Sequence, residues 1–333
     1  MNKLIVATAM ACLGAAVLPT TAMAQISLAE SQVNALEALA GKQATFRRAQ
    51  AKGLCASGYF EGHAAARALS SASVFNGDKV PVIARFSVGG GNPKASDKSK
   101  SARGLALQFS PANGEVWMTA NISAPVYFVR TPEDFVSFLQ VRSNDPATGK
   151  PDPDKLKAFN EAHPETLLQG AWLAKAPVPA SYGAVNYWGV NTFELRNAQG
   201  ERQAVRWQFI PVAGSLGLSD EQLKDLPSDF LADELRQRVA RAPVAFDYKL
   251  QLAEAGDILL DPTQAWPDSR PLVTAGRLVI DQVEASAGGA CDRMTFNPLV
   301  TPAGITPSAD PVLNARAAAY GVSLGRRLVE AAR

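Results

Sequence analysis

The sequence predicts an α+β fold, a β-rich middle with helices inserted and appended. Three observations predict it. Short runs of β-branched and aromatic residues recur between residues 80 and 280. Segments with apolar residues at helical spacing flank and interrupt those runs. No internal repeat and no linker long enough to separate domains breaks the order, so residues 25–333 read as one domain.

Residues 1–24 stand apart. Lys3 gives a short positive start, Leu4 to Leu18 is an apolar run, and Ala22-Met23-Ala24 has the small-x-small form of a signal-peptidase site. The apolar run is too short to span a bilayer comfortably. The reading is a leader cut after Ala24, a chain starting at Gln25, and a periplasmic destination. Lys3 is the one charged residue of that leader, so 32 basic residues remain against 31 acidic. That balance gives no support for nucleic-acid or membrane-surface binding. Cys55 and Cys291 also remain; in an oxidising compartment they pair, and otherwise they are two buried thiols. With two Cys and two His, His63 and His163, a zinc site of the usual four-ligand kind is not expected.

In chain order, residues 27–50 read as a helix, with Leu28, Val33, Leu36, Leu39 and Ala40 at helical spacing. Gln50 to Glu61 is small and glycine-rich, which suits a strand approached closely by something flat or bulky. Val80 to Val88 is a strand with one charge, Arg85, followed by the Gly89-Gly90-Gly91 turn and a strand at Leu105 to Phe109. Val126 to Val129 is an apolar run, and Glu133 to Val141 turns helical. A Pro/Asp loop leads to a helix around 154–174. Thr192 to Leu195 and Ala204 to Ile210 alternate as a hairpin turning at Asn197-Ala198-Gln199-Gly200, with Phe193, Leu195, Val205, Trp207 and Phe209 inward. Ser219 to Arg241 is helical, opened by a Ser219/Gln222 capping box and restarted at Pro227-Ser228. Phe246 to Leu252 and Leu272 to Ile280 are strands, Phe296 to Pro311 is a proline-rich connector, and Val312 to Ala332 is the last helix.

That last helix carries Arg316 and Tyr320, four residues apart and therefore on one face. A phenol titrates near ~10 and needs a cation or a metal to ionise at neutral pH. Arg316 can supply the cation, and tyrosinate is a known axial ligand of haem iron. Spacing alone equally fits plain helix packing.

Further blocks join this pair. Ala51-Lys52-Gly53 with Gly58-Tyr59-Phe60-Glu61, Arg85-Phe86-Ser87, Arg103-Gly104-Leu105-Ala106, Pro125 to Arg130, and Pro302 to Ser308 leading into Arg316 and Tyr320 occur in one order. Together, from residue 44 to 328, they resemble the haem catalases. The short length and the leader make the chain most similar to the small exported catalase-related peroxidases. The resemblance implies a haem b inside an antiparallel eight-stranded β-barrel. It also implies a haem-dependent peroxidase that reduces organic or hydrogen peroxides, with an electron donor that the sequence does not identify. Tyr320 matches the proximal iron ligand and Arg316 the residue that keeps it ionised. Arg47, Arg85 and Arg327 fall where propionates are paired, and Phe135 where an aromatic stacks on the porphyrin. Asn191 stands where the family has a proximal-side histidine. In the family's barrel the first and last strands meet, so a Cys55–Cys291 staple between them is reasonable.

The distal side departs from the family. Gln50 replaces the histidine before Ala51-Lys52-Gly53, and an amide cannot shuttle the proton from incoming peroxide to leaving oxygen. Ser87, the partner of that histidine, is kept. Ile122 takes the place of the distal asparagine, with Asn121 and Ser123 on either side. His63 and His163 read as structural or surface residues that do not replace the missing base. Weak or absent catalase activity is expected, because disproportionation needs proton transfer in both half-reactions. Two alternatives stay open: a haem-binding protein without peroxide turnover, and a hydroperoxide isomerase.

Overall fold

The computed structural model describes residues 26–332; the expected leader and its cut after Ala24 lie outside them. Alternation of apolar side chains builds the central element. Eight antiparallel strands, β1 (Gly53–Gly62), β2 (Lys79–Val88), β3 (Arg103–Phe109), β4 (Trp117–Ile122), β5 (Tyr187–Arg196), β6 (Arg202–Pro211), β7 (Val244–Leu252) and β8 (Leu272–Glu284), pair each with the next. The β1–β8 ladder, with Tyr59 opposite Val279, closes the barrel. The expected eight-stranded barrel is present.

Its interior is filled. Phe60, Phe109, Trp117, Trp207 and Tyr248 meet there edge to face, stacked or tilted at centroid distances of 4.6 to 6.3 Å. Fully burying one such side chain stabilises the fold by roughly 1.5–3 kcal/mol. The barrel is therefore a core, and the expectation of a cofactor inside it is corrected below.

Helices cover one outer wall. They are α1 (Leu28–Ala40), α3 (Pro132–Gln140) and α8 (Pro311–Ala331). α1 starts in a capping box, Ser27 Oγ accepting from Glu30 N at 3.2 Å while the Glu30 carboxylate accepts from Ser27 N at 2.9 Å. It ends ten residues earlier than expected, at Gly41, whose φ of +75° suits glycine. Residues 41–52 run on as an irregular segment over the wall. α2 (Ala64–Leu69) and strand β4 were not read from the sequence. The helix expected at 154–174 is broken into α4 (Pro153–Ala162), a 3-10 turn at Pro164–Leu167 and α5 (Leu168–Lys175). Pro164 forces the break by barring His163 from helical backbone. The 219–241 segment divides at Pro227, as its sequence indicates, into α6 (Asp220–Asp225) and α7 (Phe230–Arg241).

Cys55 on β1 and Cys291, in the loop after β8, are joined in a disulfide. Among the described residues no helix is long and apolar enough to cross a membrane.

Candidate active site

The strand register builds the floor of the site. On β2, Val82, Ala84, Phe86 and Val88 face the barrel core, so Arg85 and Ser87 face out. Cys55, Arg85, Ala106 and Ala120 form one outward row across β1 to β4; Gly53, Ser87, Gly104 and Ile122 form the next. Small residues dominate both rows, which leaves a broad recess. A Cβ on Gly104 would lie 2.5 Å from Ser87 Oγ and 3.0 Å from Gln50 Oε1, and one on Gly53 2.8 Å from Arg85.

Over this floor, α1, α3 and α8 enclose a cavity of about 240 Å³. Arg316, Tyr320, Ser323 and Arg327 all line it from one face of α8. Arg47, Gln50, Arg85, Ser87 and Phe135 line it as well. The cavity thus lies against the outer wall of the barrel, not within it, because the aromatics occupy the interior.

At one end three guanidiniums converge without an anion. Arg85 is 3% exposed and Arg327 9%. Arg85 donates to Ala51 O at 3.1 Å, Arg327 to Asp292 O at 3.3 Å, and Arg47 to the carbonyls of Asp292, Cys291 and Met294 at 3.1, 3.0 and 2.7 Å. The Nε atoms of Arg85 and Arg327 are buried with no hydrogen-bond partner. Among the described residues none of the three forms an ion pair, whereas neighbouring Arg48 holds Glu37 at 2.7 Å and Glu330 at 2.5 Å. Burial and the nearby Arg85 and Arg327 charges push the Arg47 guanidinium down to about 9. Burial likewise lowers Arg85 to about 10. Arg47, Arg85 and Arg327 are the cations singled out in the sequence; Arg48, not singled out, clamps α1 to α8.

The other end is a hydrogen-bonded chain. Asp310 caps α8, its Oδ1 accepting from Val312 N at 2.8 Å and Leu313 N at 3.3 Å. Its Oδ2 accepts from Asn191 Nδ2 at 2.6 Å, and Asn191 Oδ1 accepts from Arg316 at 3.3 Å. Arg316 then donates twice to Tyr320 Oη, at 3.0 and 2.6 Å. Burial works against the Arg316 charge, but the Tyr320 and Tyr127 phenols and Asp310 hold it above its usual range. Burial raises Asp310 and Tyr127, Arg316 opposing it at Tyr127. Asp310 carried no signal in the sequence beyond its place before Pro311 at a helix start.

Gln50 sits at φ +54°, a left-handed backbone uncommon outside glycine, and its Oε1 accepts from Ser87 Oγ at 3.0 Å. Asn121 also lines the cavity, but its amide does not join them. Its side chain points into the barrel, donating to Leu105 O at 2.8 Å and Thr119 Oγ1 at 3.0 Å and accepting from Trp207 Nε1 at 2.7 Å. Strand alternation turns Ile122 to the cavity instead. His63 lies at the start of α2 and His163 at the end of α4; neither lines the cavity.

The family model for catalase matches residues 27–331. The chain belongs to the catalase family. Two catalase-related peroxidases are similar to this member over almost their whole length. That of Synechococcus elongatus is 39% identical over 323 residues, covering 96% of this chain and 95% of its own. That of Mycolicibacterium paratuberculosis is 32% identical over 299 residues, covering 90% and 94%. A crystal structure of a fungal catalase superposes with a TM-score of 0.77 at 25% identity, over 86% of this chain and 60% of the fungal one. This family member thus spans less than two thirds of that full catalase. The family implies a haem cofactor, and the cavity fits one. Unpaired buried cations at one end and a phenol held by a guanidinium at the other suit two carboxylates and a metal. The small-residue floor suits a flat ring.

Proposed function

We propose that this family member is an exported, haem b-dependent peroxidase that reduces hydrogen or organic peroxides with an external electron donor. The carrying observation is buried Arg85 and Arg327 with half-buried Arg47, none paired with an anion, in the same cavity as the Arg316–Tyr320 pair. Arg47, Arg85 and Arg327 would pair the propionates, Phe135 would pack on the ring, and Tyr320 Oη would ligate the iron. Haem, when bound, supplies the redox chemistry for peroxide O–O cleavage.

The chain supplies the surroundings of that chemistry. Arg316 fixes the Tyr320 phenol oxygen in place by two hydrogen bonds. Asn191 and Asp310 fix Arg316 in turn, so the phenol is set by the cap of its own helix. On the other face Ser87 occupies Gln50 Oε1, which leaves Gln50 Nε2 to donate to a peroxide oxygen. Glutamine does not titrate, so protons move through water at reduced rate; losing a general acid–base costs ~10²–10⁴. Ile122, Ala120 and Ala106 make the floor apolar, which suits an alkyl hydroperoxide as well as hydrogen peroxide. The leader read at residues 1–24 and the Cys55–Cys291 disulfide support export to the periplasm.

Stopped-flow absorbance tests this reading. Haem-loaded protein mixed with hydrogen peroxide, then with an alkyl hydroperoxide, is expected to change its Soret band, and a reductant to restore it. A static band with both peroxides favours a haem-binding protein that does not turn over. Product formed without reductant identifies a hydroperoxide isomerase.

A further inference from the structure

A second cluster of ligating side chains lies outside the cavity, where the helical insertion packs on α3. Asp134 stands in the first turn of α3, and His163 and Glu165 flank Pro164 after α4. The ligating atoms of the three all lie within 4.8 Å of one another. His163 Nδ1 is 3.5 Å from Asp134 Oδ1 and 3.6 Å from Glu165 Oε1. Such separations are too long for good hydrogen bonds. The two edges from His163 match those of a tetrahedron around an ion with bonds of about 2.0–2.2 Å, whose corners stand about 3.3–3.6 Å apart; the Asp134–Glu165 edge lies within 4.8 Å.

Two of the polar atoms that face each other here, on His163 and Glu165, are buried and unsatisfied. Glu165 has a side chain only 10% exposed, and its Oε1 makes no hydrogen bond. His163 Nδ1 is likewise buried without a partner. A buried acceptor left unpaired costs roughly 1–3 kcal/mol, so the arrangement calls for something between them. Arg130 Nε lies 3.4 Å from Glu165 Oε1, too far for a good hydrogen bond, and its side chain is 53% exposed and pairs with neither His163 nor Asp134.

The ring is also held in place. His163 stacks on Phe159 at 4.5 Å, its N–H bonds Phe159 O at 2.9 Å, and its carbonyl accepts from Thr166 Oγ1 at 2.7 Å. Three ligands from two packed elements are therefore preset, and a ring nitrogen with two carboxylates suits a divalent transition metal.

We propose that Asp134, His163 and Glu165 bind one divalent cation of the zinc class, which clips the 163–167 turn to α3. The site is separate from the haem cavity, but it holds the helix that carries Phe135. It differs from the four-ligand Cys/His type that the sequence argues against, since two of its three ligands are carboxylates.

Calorimetric titration of the full, chelator-stripped chain with zinc ion alone tests the proposal, with thermal melting in parallel. One zinc per chain is expected, with a raised melting temperature. His163→Ala, Glu165→Gln and Asp134→Asn should each weaken binding by at least about tenfold, while His63→Ala leaves it unchanged. The Asn and Gln variants keep side-chain volume, so a fold defect in His163→Ala leaves two independent tests. Absence of stoichiometric binding, or equal binding by the three ligand variants and the parent, would overturn it.

Discussion

Ser87 Oγ donates to Gln50 Oε1 at 3.0 Å, so the residue in place of a distal base is held by the serine that would have served that base. Gly104 makes the contact possible, because any Cβ there would strike both side chains. The left-handed backbone of Gln50 then aims its free amide at the cavity.

Restoring a titrating group at that position should restore speed. Histidine tolerates positive φ better than most residues, so Gln50→His is compatible with the local backbone. It should raise the rate of peroxide cleavage by about one to three orders of magnitude in stopped-flow traces. An unchanged rate in a folded, haem-loaded variant would show that proton transfer is not limited at Gln50.

Tyr320→Phe removes the oxygen that accepts both Arg316 hydrogen bonds. The variant should lose haem on gel filtration, or keep it with a changed charge-transfer band. Asn191→Ala should leave haem bound and shift that band less, since Arg316 keeps both bonds to the phenol. An identical spectrum in Tyr320→Phe and the parent would exclude Tyr320 as ligand.

The arginine cluster gives haem binding a dependence on charge. Burial works against the Arg47 and Arg85 guanidiniums, yet each keeps its proton across the ordinary pH range, so cations face the cavity without an anion. Arg85→Gln should weaken haemin binding by about tenfold or more in titrations, while the parent's affinity stays level from about pH 7 to 9. Equal affinity of Arg85→Gln and the parent would contradict the assignment.

Glu330 accepts from Arg48 at 2.5 Å and from Thr45 N at 2.9 Å, and these bonds, the Arg48 one above all, lower its carboxyl to about 2. Its folded value lies below the unfolded one, so this stabilisation is complete above the ordinary glutamate range and is lost as pH falls toward 2. Glu330→Gln should therefore lower stability by about 1–3 kcal/mol at pH 7 in denaturant melts, with the difference from the parent shrinking below pH 4. Equal stability at pH 7 would mean that Arg48 does not clamp α1 to α8.

Much of the site was readable because its residues break local patterns. Arg85 interrupts an apolar strand, where an unpaired charge is costly, and its neighbours on the outward rows are small. Arg316 and Tyr320 share a helical spacing that allows contact. Arg48 and Asp310 gave no such signal, since a surface arginine and a helix-capping aspartate look the same in sequence. Asn121 lines the cavity, yet its amide is engaged on the barrel side, and without the β4 boundaries nothing said which way it would turn.

By itself the sequence determined the α+β class, the main strands and the helix carrying Tyr320. These follow from periodicity and capping residues, local properties of the chain, whereas the Cys55–Cys291 pairing stayed open until the structure joined them. Only the tertiary structure decided that the barrel is filled and the cavity lies outside it, that residues 41–52 leave the helix to carry Gln50 over the wall, and that Asp134 meets His163 and Glu165. Those outcomes depend on how strands register and which faces close; a one-residue change of register would have turned Arg85 and Ser87 from the cavity into the barrel.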